Sequence, residues 1–158
     1  MTHHLALRVY YEDTDLAGIV YYANYLKFIE RGRTEALRAA GIDQMALKAQ
    51  SGLVFAVRHL ACDYLAPARM DDMLVVQTQA RGQSGARIVM SQSVWRGETL
   101  LFKAEVTLVC IDANGRPTRL PAEIRTHFSS PSDGKETRKG FGSDIAKNQP
   151  SDNEERNV

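Results

Sequence analysis

Apolar and polar residues alternate with a period of two through much of the stretch from residue 54 to residue 110. This period is typical of β-strands that have one buried face. It predicts four strands, at Val54–Tyr64, Leu74–Ala80, Ile88–Val94 and Phe102–Cys110. The last three strands are predicted to be antiparallel neighbours joined by hairpin turns, because the links between them are short and contain glycine: Gly82-Gln83-Ser84-Gly85 and Arg96-Gly97-Glu98.

Before residue 54 the pattern changes to a period of 3.6 and predicts one long helix. Asn24 is a suitable N-cap, and the helix is expected to continue through Ala40. Gly41 and Ile42 then suit a C′ glycine followed by its apolar partner. Gly32 interrupts the helical propensity, which favours the close approach of another backbone. One face of this helix would carry Leu26, Ile29, Leu37 and Ala40.

A further short strand is predicted at residues 5–11. One long helix and one antiparallel sheet make an α+β fold, in which one face of the sheet is buried against the helix. The chain of 158 residues suits one domain, predicted over residues 1–128. Residues 129–158 are almost entirely polar and are predicted to form a disordered tail, because they can bury too little apolar surface to offset the entropy of ordering.

Composition and charge exclude several classes of function. The net charge of +1 provides no field that would attract nucleic acid or an anionic membrane. No apolar run approaches the roughly 18 residues of a membrane helix, and no signal peptide is evident. We therefore expect a cytoplasmic protein without a membrane span. Cys62 and Cys110 are expected to be buried free thiols, because two cysteines do not make a disulfide framework.

The segment between the first strand and the helix, residues 11–25, concentrates the candidate chemistry. Asp13, Thr14 and Asp15 precede Gly18 and the helix start. Such residues commonly form only turns and caps. A carboxylate beside a helix N-terminus also suits acyl transfer, because unpaired N–H groups can hold a carbonyl oxygen as it becomes an oxyanion. The spacing alone leaves both interpretations open.

Three motifs within residues 10–35 resemble a known family. They are Tyr-Tyr-Glu-Asp-Thr-Asp, Ala-Gly-Ile-Val-Tyr-Tyr-Ala-Asn-Tyr and Glu-Arg-Gly-Arg-Thr-Glu. They are similar to the signature of the 4-hydroxybenzoyl-CoA thioesterase family of hotdog proteins, and within it to bacterial acyl-CoA thioesterases associated with the Tol-Pal system. The resemblance implies a hotdog fold, with about five antiparallel strands wrapped around one long central helix. It also implies an acyl-CoA substrate, and a homodimer or homotetramer whose sheets join edge to edge with active sites at the interface.

The resemblance also assigns roles to individual residues. Asp15 matches the catalytic aspartate, acting as nucleophile or general base. Tyr22 matches the position whose backbone N–H polarises the thioester carbonyl. Many Tol-Pal-type members have His at this position, so the Tyr side chain puts a proton-transfer role in doubt. The backbone role does not depend on the side chain. Gly18 matches the glycine that lets the loop turn tightly. The residues expected to bind substrate are Gly18, Ile19, Val20, Asn24, His59, Arg81 and Arg87.

No metal or redox cofactor is expected, because hydrolysis of an activated thioester requires only water, orientation and charge stabilisation, and coenzyme A is part of the substrate. Glu30 is expected to pair with Arg33 or Thr34 on the helix surface rather than to take part in the chemistry. The acyl group is expected to be short-chain or aromatic.

Two other functions remain open. The first is a hotdog dehydratase, which would need a histidine that the stretch from Asp15 to Asn24 lacks. The second is a non-catalytic acyl-CoA-binding or scaffolding protein that is linked to the cell envelope or to enzymes of phospholipid synthesis, since a fold does not imply a function.

Overall fold

The computed structural model describes residues 1–128, and the predicted disordered tail, residues 129–158, lies outside the described residues. The chain begins with a strand and a single 3₁₀ turn, continues through two helices, and then forms four strands before a last helix. In order, the elements are β1 (Thr2–Arg8), the 3₁₀ turn (Tyr11–Asp13), α1 (Asn24–Ala39), α2 (Gln44–Ser51), β2 (Val54–Tyr64), β3 (Met73–Ser84), β4 (Arg87–Arg96), β5 (Thr99–Ile111) and α3 (Ala122–Phe128).

The five strands form one antiparallel sheet in the order β1-β3-β4-β5-β2. The two predicted hairpins are confirmed, since β3 pairs with β4 and β4 pairs with β5. Gly85 forms the first hairpin turn with a φ of +58°, whereas Gly82 lies at a shift in the strand register. The first strand was predicted too late in the chain, because Tyr11 belongs to the 3₁₀ turn rather than to β1. The outer edges of β1 and β2 have no partner strand among residues 1–128.

The core lies between α1 and the face of the sheet that we call the inner face. Alternate residues of β3, β4 and β5 point to this face, as the period of two predicts. Each fully buried apolar side chain contributes about 1.5–3 kcal/mol relative to exposure. The largest contributors include Phe28 and Ile29 of α1 and Leu74, Ile88, Met90 and Phe102 of the sheet.

Gly32 lies at a close contact between α1 and the sheet. A Cβ atom added at this glycine would lie 2.6 Å from Val76 Cγ1 and 3.0 Å from Thr78 Oγ1. With Gln92 Nε2 at 3.5 Å, the three nearest atoms all belong to side chains of β3 and β4, so the expected approach of another backbone is wrong. Without a side chain at position 32, the helix can lie directly on β3.

A buried polar network lies beside this contact. Arg33 is 5% exposed, donates to Gln92 Oε1 at 2.8 Å and forms the predicted ion pair with Glu30. Gln92 Nε2 donates to the Ile29 carbonyl and to Thr78 Oγ1, both at 2.8 Å. The Arg33 guanidinium thus joins the helix to the sheet. Because a shift of α1 would leave buried donors unpaired, the network fixes the position of the helix on the sheet.

The two ends of α1 differ in how well they were predicted. At the C-terminus, Gly41 has a φ of +78° and donates to the Arg38 carbonyl, while Ile42 donates to the Leu37 carbonyl. This is the Schellman pattern that the sequence predicts. At the N-terminus the prediction is wrong by one residue: Ala23 precedes the helix, and Asn24 is its first residue.

Two short helices were not predicted. Asp43 caps α2 by accepting a hydrogen bond from the Ala46 amide at 2.9 Å, and Gly52 ends it with a φ of +68°. α3 buries Ile124 and Phe128 at the end of the described chain. No helix among residues 1–128 is long and apolar enough to cross a membrane. Cys110 is a buried free thiol as predicted, but Cys62 is only partly buried.

Candidate active site

Asp15 lies in a tight loop between β1 and α1. Thr14 and Val20 pair as an isolated antiparallel bridge at the base of this loop. The Asp15 amide donates to the Ile19 carbonyl, and the Gly18 amide donates back to the Asp15 carbonyl, both at 2.9 Å. Gly18 has a φ of +75°, a conformation that favours glycine, so the predicted tight turn is present.

The Asp15 side chain has one restrained oxygen and one that remains available. Oδ1 accepts a hydrogen bond from the Ala17 amide at 2.9 Å, which is the turn-forming contact typical of aspartate in loops. Oδ2 has no hydrogen-bond partner among residues 1–128. The turn therefore orients the carboxylate while one of its oxygens remains free to accept further hydrogen bonds. The structural and chemical interpretations of Asp15 are compatible.

The start of α1 is held by the carbonyl of Asp13. The Tyr21 amide donates to this oxygen at 2.9 Å, and so does Asn24 Nδ2 at the same distance. The Asn24 amide then donates to the Tyr21 carbonyl at 2.8 Å. In the described part of the chain, the N–H groups of Tyr22 and Ala23 have no acceptor. They are unpaired donors at the positive end of a helix, which is the arrangement that stabilises an oxyanion.

A groove of about 420 Å³ connects these features. It is formed by the Asp15 loop, the start of α1, the end of β2 and the segment that follows β2. We call it the Asp15 groove. Its lining residues are Asp15, Ile19, Val20, Tyr21, Tyr22, Tyr25, Tyr64, Leu65, Ala66 and Pro67.

Ala68 ties the far wall of the groove to both of the other segments. It is fully buried, and its amide donates to the Tyr25 hydroxyl at 3.1 Å. Its carbonyl accepts from the Val20 amide at 2.8 Å. Because one residue is bonded to the helix and to the Asp15 loop, these three parts of the groove have fixed relative positions.

An ion pair secures the same wall from the other side. Arg96 donates to Asp72 Oδ2 at 2.8 Å and to the Pro67 carbonyl at 3.1 Å, and the Arg69 amide donates to Asp72 Oδ2 at 2.9 Å. Partial burial acts to raise the pKa of the Asp72 carboxyl, but the Arg69 amide and the Arg96 guanidinium together lower it below its usual value. Asp72 is thus held in its charged form.

Aromatic rings form the floor of the groove. Tyr25 stacks on Phe102 with ring centroids 5.1 Å apart, and Tyr64 meets Phe102 edge-on at the same separation. The Tyr64 hydroxyl donates to the Tyr22 carbonyl at 2.9 Å. Burial, reinforced by Cys62, Tyr22 and Tyr25, raises the pKa of Tyr64 to about 12, so the phenol remains a neutral donor.

Comparisons with known proteins identify the family of this chain. A family model described as "Thioesterase superfamily" matches residues 17–103. The acyl-CoA thioester hydrolase YbgC of Escherichia coli O6:H1 is 46% identical over 124 residues, which are 77% of this chain and 92% of the relative. The acyl-CoA thioesterase YbgC of Haemophilus influenzae is 42% identical over 123 residues, 77% of this chain and 90% of the relative. The chain belongs to the thioesterase superfamily.

A solved structure supports the same assignment for the fold. The probable thioesterase from Bartonella henselae superposes with a TM-score of 0.74 and is 40% identical, covering 77% of this chain and 100% of that chain. The predicted α+β hotdog fold and the predicted family are therefore confirmed, and so is the prediction that the protein is an enzyme.

The groove of this thioesterase-superfamily chain brings together most of the predicted residues near Asp15. Ile19, Val20 and Tyr22 line it, and Gly18 forms the adjoining turn. Asn24 does not line the groove; it is buried, and its side chain holds the Asp13 carbonyl. Among the described residues, no group of three His, Cys, Asp or Glu side chains could hold a metal ion.

Three predicted residues lie away from the groove in this chain. His59 is exposed and pairs with Thr107, which puts it on the outer face of the sheet, beside a separate groove of about 440 Å³ that includes Asp63 and Lys103. Arg81 and Arg87 lie near the opposite end of the sheet. Arg87 pairs with Val109 whereas Tyr64 pairs with Phe102, a separation of seven residues along β5, or about 23 Å.

Two features of the groove were missed from the sequence. Residues 65–72, which link two predicted strands, carry no sequence signal that they would form a wall of the groove. Tyr64 was seen as the last residue of a strand. Its position could have been inferred from the period of two, since Leu60, Cys62 and Tyr64 share the inner face at the end of β2 that approaches the start of α1.

Proposed function

We propose that this enzyme hydrolyses the thioester of a short-chain or aromatic acyl-CoA to a free acid and coenzyme A. One observation carries the proposal: a carboxylate with an available oxygen borders the same groove as Tyr22 at a helix start, where the amides of Tyr22 and Ala23 are unpaired among residues 1–128. These are the two groups that acyl transfer to water requires. The names of the E. coli and H. influenzae relatives support an acyl-CoA thioester as the substrate.

In the proposed reaction, the thioester carbonyl accepts hydrogen bonds from the amides of Tyr22 and Ala23. Asp15 then acts by one of two routes. As a nucleophile, its oxygen attacks the carbonyl, the C–S bond breaks to release the coenzyme A thiolate, and water hydrolyses the resulting anhydride. As a general base, it takes a proton from a water that attacks the carbonyl, and the tetrahedral oxyanion collapses to expel the thiolate, which is then protonated. Either route places the negative charge on the oxygen at the helix start.

The open edge of β2 supports the predicted homodimer. A second copy could pair with this edge in antiparallel fashion, with a two-fold axis near the middle of the strand. One copy's Val54 would then lie near the other copy's Tyr64, and the partner's Arg87 would lie about three strand spacings, roughly 14 Å, from this groove. That is nearer than the chain's own Arg87, so a cationic site for the coenzyme A phosphates would be completed across the interface. The predicted tetramer, the cytoplasmic location and the link to envelope or phospholipid-synthesis proteins remain predictions.

The dehydratase alternative receives no support from the groove, since no histidine lines it and His59 lies on the other face of the sheet. The binding-protein alternative is an outcome of the same experiment that tests hydrolysis.

The test is turnover of a panel of acyl-CoAs by the wild type, Asp15→Asn and Asp15→Ala. We expect both variants to lose roughly 100-fold or more in kcat, in keeping with the removal of a reacting carboxylate. Glu12→Gln is the matched control, because it neutralises an exposed carboxylate three residues away. Full activity in both Asp15 variants would remove Asp15 from the mechanism. Binding of acyl-CoAs without turnover of any of them would favour the binding protein instead.

The two routes differ in where the oxygen of water ends up when water opens the anhydride at the Asp15 carbonyl. If turnover in ¹⁸O-water labels the Asp15 carboxylate, as measured by mass spectrometry of its peptide, the nucleophilic route is supported. The general-base route delivers the water oxygen to the acid product alone.

A further inference from the structure

The Tyr22 carbonyl has an unusual partner. Among residues 1–128, its only hydrogen-bond donor is the Tyr64 hydroxyl, at 2.9 Å. The peptide groups before and after the Tyr22–Ala23 peptide are held by backbone contacts, since the Asn24 amide donates to the Tyr21 carbonyl at 2.8 Å and the Tyr21 amide donates to the Asp13 carbonyl at 2.9 Å. The peptide group between Tyr22 and Ala23 therefore depends for its orientation on a side chain from the end of β2.

We infer that Tyr64 is a positioning residue for the hydrolysis proposed above: by holding the Tyr22 carbonyl, it aims the Ala23 amide of the same peptide group at the thioester oxygen. The catalytic role of Tyr64 in this inference rests on the proposed hydrolysis. The peptide whose carbonyl Tyr64 holds is the same peptide whose N–H belongs to Ala23, one of the two unpaired amides.

Two physical effects follow from this hydrogen bond. The first is geometric, because a donor contributes to oxyanion stabilisation only when it lies at hydrogen-bond distance from the reacting oxygen. The second is electronic, because a carbonyl that accepts a hydrogen bond makes its own N–H a stronger donor, as in hydrogen-bond chains. Both effects act on the charged transition state more than on the bound substrate.

The surroundings of Tyr64 suit this role. Its ring is fixed by edge contacts with Phe102 at 5.1 Å and Tyr25 at 5.6 Å, so its hydroxyl has little freedom to move. Because its pKa is raised to about 12, the phenol is protonated and can donate at neutral pH. The side chain is nevertheless 46% exposed, so the hydroxyl itself contributes little to the core. Tyr64→Phe therefore removes the donor while retaining the ring contacts.

The experiment compares Tyr64→Phe with Tyr11→Phe, which removes the hydroxyl of an exposed tyrosine outside the groove. We expect Tyr64→Phe to lower kcat about 3- to 10-fold, the range for one neutral hydrogen bond, with KM changed less than about 2-fold. The thermal midpoint should shift by no more than a few degrees. Tyr11→Phe should match the wild type in all three quantities.

A second measurement reads the turn directly. Amide hydrogen exchange at Tyr21 and Asn24, whose hydrogen bonds hold the turn around the Tyr22–Ala23 peptide, should be faster in Tyr64→Phe than in the wild type, while exchange in the sheet stays unchanged. Unchanged exchange would overturn the inference, and so would unchanged kcat or a rise in KM at constant kcat. If the wild type hydrolyses no acyl-CoA, the proposed function fails by itself. The exchange measurement still decides whether Tyr64 holds the peptide group between Tyr22 and Ala23.

Discussion

Gly32→Ala is expected to destabilise the protein, although the same change stabilises most helices. At an exposed helical position, alanine is better than glycine by about 1 kcal/mol because it loses less backbone entropy on folding. At position 32, however, the new Cβ would lie 2.6 Å from Val76 Cγ1 and 3.0 Å from Thr78 Oγ1. Val76 is fully buried and cannot turn away into solvent.

The magnitude follows from the balance of these two effects. Overpacking a well-packed core by one methyl group costs about 1–3 kcal/mol, because neighbouring side chains or the backbone must move. After the propensity gain of about 1 kcal/mol is subtracted, a net loss of about 1 kcal/mol is expected, with a range of roughly 0–2 kcal/mol. A further consequence is that α1 would be pushed away from β3 at this contact.

Urea unfolding would test this reasoning, with Gly82→Ala as the control because a Cβ at Gly82 would have no neighbour within 4 Å. A loss of about 1 kcal/mol lowers the urea midpoint by roughly 0.3–1 M for a usual slope of 1–3 kcal/mol/M. In a Val76→Ala background the main clash is absent, so Gly32→Ala should become neutral or stabilising. If Gly32→Ala raises the midpoint in the otherwise unchanged protein, the steric explanation is refuted.

Two further predictions concern polar contacts. Gln92→Leu leaves the buried Arg33 guanidinium with one of its two partners among residues 1–128, so we expect the free energy of unfolding, measured in urea, to fall by about 2–4 kcal/mol. A decrease below about 1 kcal/mol would contradict the proposed role of the network. The native pKa of Asp72 is lowered, so the charge of Asp72 stabilises the protein above its unfolded pKa of about 3.9, and this contribution disappears as the pH falls through the lower native value. The free energy of unfolding of the wild type should therefore exceed that of Asp72→Asn by about 1 kcal/mol or less at pH 6, and this difference should vanish in acid. A difference that stays constant over this pH range would argue against the pairing of Asp72 with Arg96.

The strands could be predicted from the sequence because one face of the sheet is buried and the other is not. This contrast produces the period of two that marks β3, β4 and β5, and the short glycine links specify which strands are neighbours. The Schellman end of α1 was predictable for a similar reason, since Gly41 and Ile42 act through local geometry alone.

The missed elements depend on contacts that local patterns do not specify. α2 has a capping aspartate and a terminal glycine, but with eight residues its apolar pattern is too short to recognise, and none of its residues is fully buried. Asn24 has a capping residue type but bonds to the Asp13 carbonyl instead, because the loop before the helix folds back on it. The pairing of β2 with β5 likewise joins segments that are far apart in sequence.

For the candidate site, the sequence indicated the Asp15 loop but not the groove around it. A motif that combines an acid, a glycine and a helix start lies within one short segment, so it can be recognised in the chain. Ala68 and Tyr64 reach the same groove only through tertiary structure. Arg81 and Arg87 were chosen for their charge, and one chain alone does not bring them to the groove.

The order of strands in the sheet has a consequence for how the groove assembles during folding. β3, β4 and β5 form a meander of sequence neighbours, whereas β1 and β2 join its two edges across long intervening segments. Closing a long loop loses more chain entropy than closing a hairpin, so we expect the two outer strands to dock after the meander. Asp15 follows β1 and Tyr64 ends β2. The groove is thus completed by the last strands to arrive, and loosening either edge would abolish the activity while the centre of the sheet is still folded.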